Sequence, residues 1–202
     1  MENFLYFGEF LEKFTIPCVI LSGGIGRRMG ELKQNLPILN STLANFQAKR
    51  LKECFEYVYF SAKAPIENDF DVETILDFDC TFEKERIAPI FGLFSALNSL
   101  QRDIFVLSID APFFSCASIS QIMELNFKNK SIFAKNTKIH PLLGIYRFSA
   151  LDFIKMQIEK KNYKLIDLLE LMQAEFIEIS LEQTQNLNTQ QDYQAACNKI
   201  KG

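Results

Sequence analysis

The segment PCVILSGGIGRRMG (residues 17–30) joins a short apolar run to a glycine-rich turn. Its first five residues have the length and the β-branched content of a buried strand, and four glycines fall within residues 23–30. Glycine permits a sharp turn and a close approach of the backbone to a ligand. A buried strand that ends in such a turn typically opens a βα unit, so the segment predicts the first strand of a parallel sheet.

The rest of the chain alternates between strand patterns and helix patterns. Further strands are predicted at residues 57–61, 104–109, 132–134, 142–146 and 176–179, which are rich in Val, Ile, Phe and Tyr. Helices are predicted after a cap at Ser41, at residues 90–100 and 165–172, and after a capping box formed by Thr189 and Asp192. This alternation predicts a three-layer α/β/α fold, with helices on both faces of a mainly parallel mixed sheet.

Length and composition limit the class of protein. The chain has 202 residues, 48% of them hydrophobic, which is enough for one domain with its own core. The net charge of −3 argues against nucleic-acid binding, and no apolar run approaches the roughly 20 residues that span a bilayer. We therefore expect a cytoplasmic monomer that binds neither nucleic acid nor membrane.

The number and spacing of the cysteines and histidines limit the redox compartment and the metal sites that are possible. The five cysteines are odd in number and form no CxxC pair, which predicts buried, unpaired thiols in a reducing compartment. His140 is the only histidine, so a zinc site with several histidine ligands is excluded.

The glycine-rich turn also carries positive charge, from Arg27, Arg28 and the nearby Lys33. Backbone N–H groups of such a turn can surround a phosphate, so a phosphate site is predicted here. A Walker A motif is absent, and a dinucleotide-binding motif would need glycine where Met29 stands. An ordinary βα turn with solvated arginines is the alternative.

Asp110 follows the predicted strand at residues 104–109 and precedes Ala111 and Pro112. Parallel sheets bind ligands at the carboxyl ends of their strands, and a carboxylate there suits Mg²⁺. A lone aspartate in this position is also a common turn or N-cap residue. Its occurrence together with the glycine-rich turn favours the metal-binding interpretation.

Residues 21–33, LSGGIGRRMGELK, resemble the LxGGxxxRMGxxK signature of the MobA-like nucleotidyltransferases, and within them the molybdenum cofactor guanylyltransferases. Other segments follow in the order of that family. Residues 88–92 (APIFG) resemble its GPLAG turn, residues 105–112 (FVLSIDAP) its strand ending in Asp-x-Pro, and residues 186–192 (NLNTQQD) its NxNTPED motif. His140-Pro141 resembles its HP segment, and Asp77 stands where the family has an aspartate near the nucleotide.

The resemblance implies a Rossmann-like nucleotidyltransferase fold and transfer of GMP from GTP to molybdenum-molybdopterin, with Mg²⁺ as cofactor. It assigns catalysis to Arg28, Lys33 and Asp110, with Asp110 as the metal ligand. The GTP-binding residues that it implies are Leu21, Ser22, Gly23, Gly24, Lys33, Ser61, Asp77 and Asp110. It assigns the acceptor to His140, Asn186 and Asn188, and implies molybdoenzymes or other cofactor-biosynthesis proteins as partners.

The same resemblance divides residues 1–202 into three parts. Residues 1–15 form an N-terminal extension in which a short amphipathic helix that includes Phe14 is predicted. The nucleotide-binding part covers about residues 16–115 and the acceptor-binding part about 116–200.

Some residues leave alternatives open. Ser61 stands where the family usually has Asn. Asn186 and Asn188 match the guanylyltransferase branch, whereas cytidylyltransferase relatives tend to carry Asp-x-Asp, but the same asparagines could form an Asx turn. His140 could be a structural residue. The alternative functions are a related cytidylyl- or sugar-phosphate nucleotidyltransferase, and a non-catalytic nucleotide- or molybdopterin-binding carrier.

Overall fold

The computed structural model describes residues 12–22, 32–78, 88–126 and 129–201. Its strands are β1 (Cys18–Leu21), β2 (Pro37–Ile38), β3 (Ser41–Thr42), β4 (Val58–Ala62), β5 (Glu73–Leu76), β6 (Ile104–Ser108), β7 (Ile132–Lys135), β8 (Ile139–Tyr146) and β9 (Glu175–Glu178). Its helices are α1 (Leu43–Cys54), α2 (Pro89–Leu100), α3 (Cys116–Glu124), α4 (Ala150–Glu159), α5 (Leu165–Leu171) and α6 (Gln190–Lys201).

Seven of the strands form one sheet in the order β5-β4-β1-β6-β8-β7-β9, and β2 and β3 form a separate hairpin. Within the large sheet β8 runs antiparallel to β6 and β7, and the other neighbours are parallel. The sheet is therefore mainly parallel and mixed. Gly144 allows β8 to pass close to β7, because a Cβ there would collide with the carbonyl oxygen of Ile132.

Helices cover both faces of this sheet. Along β1, Cys18 and Ile20 point into a core that contains residues of α1, α3 and α6. Val19 and Leu21 point into a second core built with α2, α4 and α5. Because successive side chains of a strand point to opposite faces, the apolar run at residues 17–21 serves both cores. The predicted three-layer α/β/α fold is confirmed.

Several local predictions differ from the structure. The cap of α1 is Thr42, one residue after the predicted Ser41, and its Oγ1 accepts from the Asn45 N–H at 3.2 Å. Strand β5 was not predicted, since this edge strand is only partly buried and lacks a continuous apolar run. Helices α3 and α4 were also missed. The capping box before α6 is present, with Thr189 N–H donating to Asp192 Oδ2 at 2.9 Å.

The N-terminal extension falls mostly outside the described residues. Phe14 is not helical: it forms a parallel bridge with Phe55, and its N–H donates to the Cys54 carbonyl at 2.9 Å. The predicted helix is wrong at Phe14, and residues 1–11 lie outside the described residues. The division near residue 115 stays a prediction. In the described part of the chain, no helix has the length and apolar character needed to cross a membrane, and the cytoplasmic location stays a prediction.

Cys54 and Cys116 form a disulfide, with their Cα atoms 5.9 Å apart. The prediction of unpaired cysteines is wrong for this pair. The two residues are 62 positions apart in sequence and meet only because the end of α1 packs beside the start of α3. Cys18 and Cys197 are free thiols, and Cys80 lies outside the described residues.

Candidate active site

The carboxyl ends of four parallel strands form one edge of the sheet. The register pairs Leu21 of β1 with Ser61 of β4 and with Ser108 of β6. Past the strand ends, Ser22 N–H donates to the Ser61 carbonyl at 2.9 Å, and Ile109 N–H donates to the Leu21 carbonyl at 3.0 Å. The residues that follow β1, β4 and β6 are therefore neighbours at this edge, as the topology of a parallel sheet requires.

Lys33 and Asp110 meet at this edge. The Lys33 ammonium forms an ion pair with Asp110 Oδ2 and donates to Asn188 Oδ1 at 3.4 Å. The side chains of Lys33 and Asp110 are only 13% and 10% exposed. Ser108 Oγ donates to the other carboxylate oxygen, Asp110 Oδ1, at 2.6 Å. The Leu187 N–H donates to the Asp110 carbonyl at 2.8 Å, which brings residues 186–188 beside Asp110.

The donor set around Asp110 fits Mg²⁺. Asp110 and Asn188 already direct oxygen atoms at one cation, the Lys33 ammonium. Asn186 Oδ1 is buried and has no hydrogen-bond partner among the described residues. Those residues contain no cluster of three or more His, Cys, Asp or Glu side chains. One carboxylate with amide oxygens, water and phosphate is the ligand set that Mg²⁺ commonly takes in phosphate-handling sites.

A second polar pair lies on the β4 and β5 side of the edge. Ser61 Oγ donates to Asp77 Oδ1 at 2.7 Å, and the Asp77 N–H donates to the Ala62 carbonyl at 2.9 Å. Burial raises the pKa of the Asp77 carboxyl above its ordinary value, while the Ser61 hydroxyl and the charge of Lys63 act in the opposite direction. Ser61 thus uses its hydroxyl to orient Asp77.

Comparison with known proteins identifies the family. Residues 18–174 match the MobA-like NTP transferase domain. The chain belongs to this family. A molybdenum cofactor guanylyltransferase of Campylobacter jejuni subsp. doylei is 32% identical over 189 residues, covering 91% of this chain and 96% of the relative. A molybdenum cofactor guanylyltransferase of Helicobacter pylori (strain P12) is 33% identical over 199 residues, covering 93% of this chain and 94% of the relative.

A solved structure shows the same fold as this MobA-like chain. Molybdopterin-guanine dinucleotide biosynthesis protein A from Archaeoglobus fulgidus aligns with a TM-score of 0.78, covering 92% of this chain and 99% of that one. The two sequences are 20% identical, so this likeness concerns the fold alone.

The structure of this MobA-like domain groups most of the predicted site residues. Lys33, Asp110 and Asn188 are in contact, and Ser61 contacts Asp77 at the same sheet edge. Gly23, Gly24, Arg27 and Arg28 lie outside the described residues. The roles assigned to individual residues in nucleotide and acceptor binding stay predictions.

His140 lies at the start of β8, at the same edge. The register pairs Leu107 of β6 with Leu143, so His140, three residues earlier on the antiparallel strand, lies beyond the end of β6. The residue is 6% exposed, and its Nε2 atom has no hydrogen-bond partner among the described residues. Burial, with a smaller contribution from the charge of Lys138, lowers the pKa of the imidazole below its ordinary value.

We expect His140 to titrate below pH 6.5 and to make the fold less stable in acid. The imidazole is neutral when buried, so the unfolded chain binds its proton first as the pH falls through about 6.5. The free energy of unfolding should therefore decrease from that pH down to the folded pKa. Because there is one histidine, its ring resonances in an NMR titration are unambiguous. A folded-state midpoint at or above pH 6.5 would contradict this expectation, and His140→Gln should remove this part of the pH dependence.

Three residues of the site were not singled out from the sequence. Ser108 could have been found, because it ends β6 only two positions before Asp110, close enough for its hydroxyl to reach the carboxylate. Gln34, whose Oε1 accepts from Ser22 Oγ at 3.1 Å, has no such signal. Gly92 of α2 lies where a Cβ would come 2.8 Å from Ser61 Oγ and 2.9 Å from Leu21 Cδ2.

Gly92→Ala is expected to destabilise the protein, by about 1 to 3 kcal/mol as is typical of overpacking. At an exposed helix position, Gly→Ala would stabilise the protein by up to about 1 kcal/mol. Whether Gly92→Ala lowers or raises the free energy of unfolding therefore tests the close contact. The new methyl group would push the Ser61 hydroxyl away from Asp77. Urea unfolding measures the effect, and Ser61→Ala in the Gly92→Ala background should restore part of the stability. A stabilised Gly92→Ala protein would contradict the prediction.

Proposed function

We propose that this MobA-like chain is a molybdenum cofactor guanylyltransferase, which transfers GMP from GTP to molybdenum-molybdopterin and releases pyrophosphate. Its family membership supports nucleotidyl transfer. The names of the Campylobacter and Helicobacter relatives, similar over more than nine-tenths of this chain, support the guanylyl group and the molybdenum cofactor. They favour this activity over cytidylyl transfer, sugar-phosphate transfer and a carrier role.

The observation that carries the proposal is the convergence of Lys33, Asp110 and Asn188 at one point of the carboxyl edge. A protein that only binds a nucleotide needs positive charge for the phosphates. It need not position a metal ion at the α-phosphate. Nucleotidyl transfer needs both, since the cation meets phosphate charge and the carboxylate binds a metal ion.

The sheet order supports a placement of the two substrates side by side. Ser61 and Asp77 lie on the β4 and β5 side of β1, where we place the nucleoside. His140 lies on the β8 side of β6, and Asn186 and Asn188 lie against Asp110, where we place molybdopterin. In this proposed arrangement Asp110 would stand between the nucleoside and the acceptor.

In the reaction, a phosphate oxygen of molybdopterin forms a bond to the α-phosphorus of GTP while the bond from that phosphorus to pyrophosphate breaks. Both substrates are anionic, so the protein contributes chiefly positioning and charge neutralisation. Asp110 and Asn188 would hold Mg²⁺. Bound Mg²⁺ would offset the negative charge that develops on the leaving pyrophosphate. Lys33 would exchange its contact with Asp110 for a contact with the phosphates.

Pyrophosphate release with each of the four nucleoside triphosphates tests the proposal. Release is expected with GTP, Mg²⁺ and molybdenum-molybdopterin together, and not when molybdopterin is left out. Equal or faster release with CTP or ATP would overturn guanylyl transfer but not nucleotidyl transfer. No release with any of the four would favour the carrier role. Delivery of the product to molybdoenzymes and a monomeric state remain predictions.

A further inference from the structure

One face of α1 is tied at three points to the segment that carries Asp110. Gln47, Arg50 and Cys54 are three and four positions apart, so they lie on the same side of the helix. We call these three residues the α1 brace. Gln47 Nε2 donates to the Ile109 carbonyl at 3.0 Å, Arg50 Nη1 donates to the Phe114 carbonyl, and Cys54 is bonded to Cys116. The contacts follow the segment in order from residue 109 to residue 116.

Gln47 acts directly on the residue before Asp110. Its side chain is completely buried. The Ile109 N–H donates to the Leu21 carbonyl at 3.0 Å, and the Ile109 carbonyl accepts from Gln47. Both backbone polar groups of Ile109 are therefore held, one by the end of β1 and one by α1. The Ile109 carbonyl belongs to the peptide bond that joins Ile109 to Asp110. These two hydrogen bonds therefore fix the backbone position from which the Asp110 side chain extends.

Arg50 completes the arrangement. Its Nε and Nη2 atoms donate to Gln47 Oε1 at 3.2 Å and 2.6 Å, while Nη1 reaches Phe114. Gln47 is thereby locked in the orientation in which its amide nitrogen faces Ile109. Burial lowers the pKa of the Arg50 guanidinium to about 10, which reflects the cost of placing a cation there. Apolar side chains would fill this part of the core at lower cost, so the polar groups call for another reason.

We propose that Gln47 and Arg50 are positioning residues for the transfer reaction, which hold the Asp110 carboxylate in register with Lys33 and the residue 186–188 segment. This inference rests on the proposed function. It extends the set of residues that control the reaction from the sheet edge into the buried face of α1. Neither residue touches a substrate, and both act through the backbone of residues 109–114.

Gln47→Met tests the proposal, because methionine nearly matches the shape of glutamine and removes both hydrogen-bonding groups. The rate of pyrophosphate release should fall about 10- to 100-fold, and the Mg²⁺ concentration for half-maximal rate should rise about tenfold, as for other residues that orient metal ligands. The KM for GTP should change little, since the phosphate contacts remain. Arg50→Lys keeps the positive charge but loses the planar guanidinium that binds Gln47 and Phe114 together. It should lower the rate and raise the required Mg²⁺ concentration, each by less than Gln47→Met does.

Asn45→Leu is the matched control. Asn45 is a buried polar residue of the same helix, but its side chain binds Asp69. Asn45 Nδ2 donates to Asp69 Oδ2 at 2.6 Å, and Asn45 Oδ1 accepts from the Asp69 N–H at 2.9 Å. Its loss should also reduce stability, though by less because Asp69 is exposed, and should leave the rate and the Mg²⁺ dependence unchanged.

Hydrogen exchange provides a readout that does not depend on activity. The Ala111 N–H donates to the Ser108 carbonyl at 3.1 Å, and the Leu187 N–H donates to the Asp110 carbonyl. Both amides should exchange about tenfold faster in Gln47→Met and not in Asn45→Leu. If both variants are folded and do not differ in rate, Mg²⁺ dependence or exchange at these amides, the proposal is wrong. If the wild-type protein releases no pyrophosphate, the proposed function fails, while the exchange comparison still decides whether Gln47 holds the Asp110 segment.

Discussion

Asp110→Asn is expected to lower the rate of pyrophosphate release about 10²- to 10³-fold, which corresponds to about 3 to 4 kcal/mol of lost transition-state stabilisation. Asparagine keeps the shape of the side chain and can still meet Ser108, but it lacks the negative charge that binds a metal ion. The fold should survive, because the hydrogen bond from Leu187 goes to the backbone carbonyl of residue 110. Circular dichroism and urea unfolding check that the variant is folded.

Lys33→Ala distinguishes the role of phosphate binding from the role of metal binding. Lysine meets phosphate charge that is present before the reaction, so its loss should raise the KM for GTP as well as lower the rate. Asp110→Asn should act mainly on the rate and on the Mg²⁺ dependence. Near-normal, Mg²⁺-dependent release by a folded Asp110→Asn protein would show that Asp110 is not the metal ligand, and that the Asp-x-Pro turn has only a structural role.

Reduction of the Cys54–Cys116 disulfide is expected to lower the free energy of unfolding by about 4 kcal/mol, since the bond closes a long loop in the unfolded chain. The bonded residues are 62 positions apart. The unfolded chain gains conformational entropy when this loop is released, and the native contacts of α1 and α3 remain. Urea unfolding of the oxidised protein, with and without a thiol reductant, measures the difference.

The double variant Cys54→Ser, Cys116→Ser is the control for the disulfide. It should match the reduced wild-type protein and show no further change with reductant, although Cys18 and Cys197 are still present as thiols. Peptide mapping without reduction should recover the segments around residues 54 and 116 as one cross-linked species. An unchanged unfolding midpoint on reduction would contradict the prediction. In a reducing compartment the bond would be open, so mapping of protein trapped directly from cells also tests the predicted cytoplasmic location.

The layered fold could be predicted because its signals are local. The run at residues 17–21 is apolar at every position, as a strand buried on both faces must be. The stripe of α2 and the capping box of α6 depend on residues three or four positions apart, so they too can be read along the chain. Strand β5 could not be predicted in this way, because two of its four residues, Glu73 and Thr74, are polar and both of its ends are exposed.

The sequence by itself determined the residue types of the candidate site and the strand ends on which they stand. Only the tertiary structure decided which of them meet. Lys33 and Asp110 are 77 positions apart, and Lys33 and Asn188 are 155 apart, yet their side chains are in contact. The three contacts of the α1 brace, including the Cys54–Cys116 bond, also join residues that are far apart in the sequence. No local pattern in the sequence indicates that these residues meet. Local patterns report the burial and backbone preferences of neighbouring residues, whereas contacts between distant residues depend on strand order and helix packing, which form only when the whole sheet is assembled.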